Sequence, residues 1–315
     1  MKIEKAYSTI DVHVAGEAFR IIHNIPLIHY RSLEELYEKF PEVFHEEKNL
    51  LLNEPRGFAG LNGCLVVPPI NREADAAVVF FNHEGTVPVH YGGIVAVITA
   101  LLECGQLKAR DTNRYYVETV QGVIPVTAMM ENEEVVAVHL ESGLCHVVET
   151  DIPLSHPQFK TKYSLVHADQ LYAVFNKQDF TFNIQLEELA DINRWGQMVL
   201  QSLDPRVKAV VLLDDTRADS RHIKTVTFRH DSYIVRSPGF VPTQVCFASL
   251  VAKGTVLADG IVVNESIFGS KLQAEALNQE DSGYRFKLTT RGFITGMQTF
   301  ILDPTDPLAA GFLLK

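Results

Sequence analysis

Two short runs carry residue types that could do chemistry: His90-Tyr91-Gly92-Gly93, and Arg236-Ser237-Pro238-Gly239. Each stands just before an apolar stretch long enough for a helix. The first amides of a helix have no intrahelical partner and sit at the positive end of its dipole, so both runs mark places where a small anion could bind. Gly92 and Gly93 are expected to bring backbone N–H groups to such an anion. Tyr91 is a candidate base, since a phenol with pKa of about 10 falls near a helix N-terminus, or else a ring that fills space. His90 is a candidate base or orienter, or a polar loop residue. His83, Glu84 and His90 lack the spacing of a metal set, and no metal is expected. Glu17 and His13 lie near the first strand turn, where hydrogen bonds bracing the turn explain them equally well. Asp214 and Asp215 form a carboxylate pair after a buried strand, a common turn or cap placement. The four cysteines, Cys64, Cys104, Cys145 and Cys246, show no CxxC or paired spacing and read as small buried hydrophobes.

The elements that must position these residues follow from periodicity. Residues 76–81, AAVVFF, read as a buried strand, and from Ile94 to Leu102 only Thr99 is not hydrocarbon, so the following helix is a core helix. A second copy of the plan lies over residues 226–254. It has a β-rich run, a loop at Arg236 to Gly239, a helix start at Pro242-Thr243 and a closing Gly254. Two distant strand-loop-helix units predict two similar lobes. Strand-like alternation covers Ile3–Val14 and continues through AGEAFRIIHNIP after a glycine turn. Residues 31–51 predict an amphipathic helix opened by a Ser32/Glu35 capping box and interrupted by Pro41. Residues 183–203 predict a surface helix, KAVVLLDD a buried strand, and residues 112–130 and 133–142 strands turning at Gln121-Gly122 and Glu131-Asn132.

With 28 basic and 39 acidic residues and a net charge of −11, the chain offers no basic stripe for nucleic acid. Charges interrupt the N-terminus where a signal peptide is apolar, and no apolar run reaches a membrane span, so a cytoplasmic protein without a membrane partner is expected. The 315 residues suffice for two domains of ordinary size.

Six collinear stretches resemble the proline racemase family, which includes hydroxyproline epimerases and 3-hydroxyproline dehydratases. They are IDVHVAGEAFRII, PRGFAGLNGCLVVPP, FFNHEGTVPVHYGG, VRSPG, NESIFGS and ITGMQTFILDPTDPLAAGF. The resemblance implies an α+β, diaminopimelate epimerase-like fold: two pseudo-symmetric lobes, each a mixed sheet wrapped around a central helix, with the ligand between them. Lobe boundaries are expected at 1–127 plus 296–315 and at 128–295. It also implies a homodimer and a cofactor-independent reaction, in which one thiolate takes the substrate's α-proton and an opposing thiol returns one. On that pattern Tyr91 stands at the first catalytic Cys and Gly239 at the second. Gly93 replaces a ligand-binding His, Val235 a substrate-binding Asp, and Phe240 and Val241 a Gly-Thr pair that grips carboxylate. Two readings follow. The first is a member without two-thiol racemisation, binding a small proline-like carboxylate or keeping a relic of that site. The second is an isomerase or lyase acting on a proline-like or other small amino or hydroxy acid through Tyr91, His90 or a carboxylate.

Overall fold

The structure, a computed structural model, describes residues 3–24, 29–217, 221–230, 235–280 and 283–314. The ends of two expected strands, at Ile25-Pro26 and at residues 231–234, lie outside that set.

The chain opens with β1 (Lys5–Val14) and β2 (Glu17–Ile22), joined by a tight turn in which Ala15 and Gly16 both have positive φ. Then come α1 (Leu33–Val43), α2 (His45–Leu52), β3 (Asn62–Val67), β4 (Ala76–Phe81), the short β5 (Thr86–Val87) and α3 (Tyr91–Glu103). β6 (Arg114–Thr119), β7 (Gly122–Glu131) and β8 (Glu134–Glu141) complete this part. The second part runs β9 (His146–His156), β10 (Phe159–His167), β11 (Leu171–Asn176), α4 (Leu189–Ser202), β12 (Val207–Asp214), β13 (His222–Arg229), α5 (Phe240–Ala252), β14 (Ile261–Ser266), β15 (Lys271–Glu280) and β16 (Gly283–Thr290). The last strand, β17 (Gly292–Leu302), pairs antiparallel with β1.

Two compact units result, Met1–Leu140 with Arg291–Lys315, and Glu141–Thr290. The expected cut at 127/128 would have split β7. The β7–β8 hairpin instead stays whole in the first unit, turning at Asn132 and Glu133, both with positive φ. The pairing senses are the same in both units. Along β17-β1-β2-β3-β4-β6-β7-β8 they run antiparallel, antiparallel, parallel, antiparallel, parallel, antiparallel, antiparallel. Along β9 to β16 in chain order the series repeats. α3 and α5 occupy equivalent places, each crossing between strands that run parallel.

In the first unit α3 is buried from Gly92 to Leu102 and packs on β1, β2, β3 and β17. α1 and α2 pack Leu36, Phe40, Phe44 and Leu51 with Val79 and Phe81. β4 is therefore covered on both faces, which is why AAVVFF carries no polar alternation. In the second unit Trp195 of α4 packs edge-on to Phe175 and Phe228, while α5 packs on β9 to β12, β15 and β16.

Ser32 caps α1 as expected, its Oγ accepting from the Glu35 amide at 3.2 Å. Pro41 lies inside α1, and the break falls at Phe44. α5 begins at Phe240 rather than at Pro242, with Gly239 as its N-cap, since proline fits anywhere in a first turn, where amides lack partners anyway. α5 ends as the sequence indicates, with Gly254 at φ 71°, and α3 closes in the same way on Gly105 at φ 67°. Among the described residues no helix is long and apolar enough to cross a membrane.

Candidate functional site: the starts of the two core helices

α3 begins one residue before its glycines, so Gly92 and Gly93 lie within its first turn. Its N-cap is His90, held in extended backbone at φ −137°, ψ 103°, and its Nδ1 accepts the Gly93 N–H at 3.3 Å. This corrects the expectation for Gly93, whose amide is occupied by a side chain. The Gly92 amide has no hydrogen-bond partner among the described residues. A Cβ on Gly93 would lie 2.7 Å from the Phe80 ring and 3.3 Å from Cys64 Sγ, so this position admits no side chain.

Because Nδ1 accepts, the neutral imidazole carries its proton on Nε2, and there Glu17 Oε1 lies 3.3 Å away. The same oxygen accepts from Asn62 Nδ2 at 3.3 Å. Glu17 opens β2, Asn62 opens β3, and these strands are parallel neighbours, so both side chains issue from one end of the sheet. Phe19 fixes the His90 ring in an edge contact with centroids 5.0 Å apart. The Glu17 and His90 side chains are only 13% and 20% exposed, enclosed yet reachable. Asn62 and the Glu17–His90 contact were not foreseen. The signal for Asn62 was a lone amide opening an apolar strand. Tyr91 is half-buried as the first helical residue.

At the start of α5, Gly239 has φ 71° and ψ 137°, a region that essentially only glycine occupies. A Cβ there would lie 2.8 Å from ring carbons of Pro242. The Gly239 amide donates to Ser237 Oγ at 3.2 Å, and the Gly239 carbonyl accepts from the Thr243 hydroxyl at 2.6 Å. A buried chain continues inward, with Asn264 Nδ2 donating to Thr243 Oγ1 at 2.9 Å and Thr225 donating to Asn264 Oδ1 at 3.0 Å. Gly239, as N-cap, has no side chain with which to cap α5. The Val235 amide donates to Thr227 O, which keeps Val235 beside β13. Phe240 is buried, Val241 half-buried, and the Val241 amide has no partner among the described residues.

The remaining candidates fall elsewhere. Asp11 accepts from Arg20 through both oxygens, at 2.9 and 2.7 Å, and Arg20 also donates to the Arg56 carbonyl and covers the Phe300 ring. These motif residues brace the first unit. His13 stacks on Phe293. Asp214 accepts from Thr216 and Asp215 from Asn176 and Gln178, as turn residues do. Among the described residues no group of three His, Cys, Asp or Glu side chains could hold a metal ion. Burial pushes every thiol up: Cys104 above its usual range, Cys145 to about 12, and the fully buried Cys64 and Cys246 further, with nearby acidic groups adding to the shift.

A sheet wrapped around one apolar helix, made twice with the same pairing senses, defines the diaminopimelate epimerase-like class of α+β proteins. The hydroxyproline epimerase from Agrobacterium vitis, solved with bound trans-4-hydroxy-L-proline, shares the fold at a TM-score of 0.84 and 22% identity, over 100% of this chain and 96% of that one. A phenazine biosynthesis protein of the PhzF family from Bacillus anthracis shares it at 0.65 and 11% identity, over 94% and 99%. The trans-3-hydroxy-L-proline dehydratase of Bacillus cereus is 29% identical over the full length of both chains. The family described as Proline racemase matches residues 9–313, and the chain belongs to it.

Proposed function

We propose that this protein holds a small proline-like carboxylate and does not racemise it by the two-thiol route. Gly239 carries the reading: its backbone angles and the Pro242 ring leave no room for any side chain where the family resemblance places a second thiol. Tyr91 stands at the first thiol position, and all four cysteines keep their protons under burial. The ligand's carboxylate is assigned to the start of α3, with the Gly92 amide as donor and Gly93 beside it as the residue that leaves the backbone open. Helix N-termini suit a carboxylate on dipole and hydrogen-bonding grounds alike. The proline-like class is supported by the names of the relative and of the structural neighbour. A second reading, a lyase acting on a hydroxylated member of that class, is favoured by the His90–Glu17 pair and by the dehydratase relative. The proposal includes a cytoplasmic location and a homodimer, the latter checked by light scattering.

Ligand-observed saturation-transfer NMR with L- and D-proline, trans-4-hydroxy-L-proline and trans-3-hydroxy-L-proline, run beside chiral chromatography, tests this. Binding of at least one acid, with no L-to-D conversion and no response to iodoacetamide, is expected. Racemisation that alkylation abolishes would overturn it.

A further inference from the structure

We propose that Glu17 is the proton-abstracting group of this site, working on one face of the substrate's Cα, with His90 and Asn62 as positioning residues. The inference rests on the carboxylate-binding reading at the start of α3.

The geometry selects Glu17 over His90. A general base needs a lone pair directed at the proton it takes. His90 spends the lone pair of Nδ1 on the Gly93 amide, and its other nitrogen, Nε2, faces Glu17 Oε1 at 3.3 Å, so the ring has no lone pair left for a substrate proton. Asn62 Nδ2 donates to the same oxygen of Glu17 that His90 Nε2 faces, each at 3.3 Å. These contacts orient the carboxylate. Glu17 is itself anchored on both sides, by the tight Ala15-Gly16 turn before it and by β2 pairing with β1 and β3 after it. Phe19, in the same strand, holds the imidazole edge-on. Cys64 lies behind Gly93, and its thiol is buried too deeply to serve as the base. The result is an oriented carboxylate one imidazole ring away from the first turn of α3, where the proposed reading places the substrate's own carboxylate.

The step balances without any co-reactant. The Cα–H bond breaks, an O–H bond forms on Glu17, and the electron pair left on Cα delocalises into the substrate carboxylate held by helix amides. With one base, the proton returns to the face it left. If the neighbouring carbon carries a hydroxyl, the carbanion closes a C=C bond and expels hydroxide, which takes the proton from Glu17 and departs as water.

The test uses the full-length protein in D2O with L-proline, trans-4-hydroxy-L-proline and trans-3-hydroxy-L-proline. Loss of α-proton signal is followed by NMR, chirality by chromatography and binding by saturation transfer. The expected result is α-proton washout with retained configuration, or elimination from the 3-hydroxy acid. Glu17→Gln should lower that rate by about a hundredfold or more while binding persists. His90→Asn, which keeps a helix cap but removes the donor to Glu17, should lower the rate less and leave binding unchanged. Glu17→Asp, with the carboxylate drawn back, should recover part of the rate. An undiminished rate in Glu17→Gln overturns the proposal. So does loss of binding in that variant, which would make Glu17 an anchor for the substrate ammonium, and so does a D-isomer formed as fast as the proton is lost. Binding without exchange overturns the role of Glu17 and leaves the binding reading intact; absence of binding across the panel removes both.

Discussion

Gly239 shows how much a single residue decides. At φ 71° and ψ 137° it closes the loop before α5, and the Pro242 ring fills the space a side chain would need. Gly239→Ala should therefore cost on the order of 1–3 kcal/mol of stability in urea denaturation. Gly239→Cys should cost a similar amount and create no racemase activity, even combined with Tyr91→Cys. A double variant that racemised proline at full stability would show the loop to be more accommodating than its geometry implies. His90 is the contrasting case, since its role comes from contacts that its neighbours in sequence do not announce. A histidine before two glycines reads as a loop residue or a base. Only the fold brings Glu17 to its far nitrogen and Asn62 to Glu17, from strands distant in sequence. Asp11, Arg20 and Arg56 were legible as motif residues, yet the motif said nothing of whether they bind or brace.

At the level of elements the sequence was more readable. The two core helices, their closing glycines and the Ser32 cap are local signals, written in residues within a turn of one another. The break between α1 and α2 was less so. Proline interrupts a helix only where its missing N–H and its ring conflict with the preceding turn, and α1 carries Pro41 through to Val43. The docking of α2 onto β1 shows how an ionised group can hold elements together. Glu47 accepts from Tyr7 at 2.7 Å and from Lys5 at 2.9 Å. Burial is the largest single influence and would raise its carboxyl, but these two hydrogen bonds, a backbone hydrogen bond and the Lys5 charge together hold it below its usual range. A carboxyl depressed in the folded state contributes stability above its unfolded pKa and loses it as pH falls through the folded value. Lys5 is raised, chiefly by its bond to Glu47, so its contribution lasts until pH climbs through that raised value. The brace is thus intact across neutral pH. Glu47→Gln should lower stability at pH 7 and flatten the acid limb of the stability curve; an unchanged acid limb would place the protonation that drives acid unfolding elsewhere.

For the whole molecule, each unit has its own core, one around α1, α2 and β4, the other around Trp195. Arg20 is 3% exposed and tied at once to Asp11, α2 and the loop after it. Arg20→Met leaves Asp11 unpaired and should cost about 3 kcal/mol. Amide hydrogen exchange should then accelerate in β1, β2 and α3 and stay slow in α4 and α5; equal acceleration in both would mean that the units unfold as one. The repeated order of pairing senses was invisible in the sequence, because strand partners are chosen across the chain by surfaces that exist only once the sheets form. One consequence concerns synthesis. All the residues of the second unit are contiguous, whereas the first needs β17 beside β1. On the ribosome the second unit has its full complement while the first still lacks an edge, so the half of the protein translated first is finished last, and β1 waits with its outer backbone groups open to chaperones or stray strands until β17 emerges.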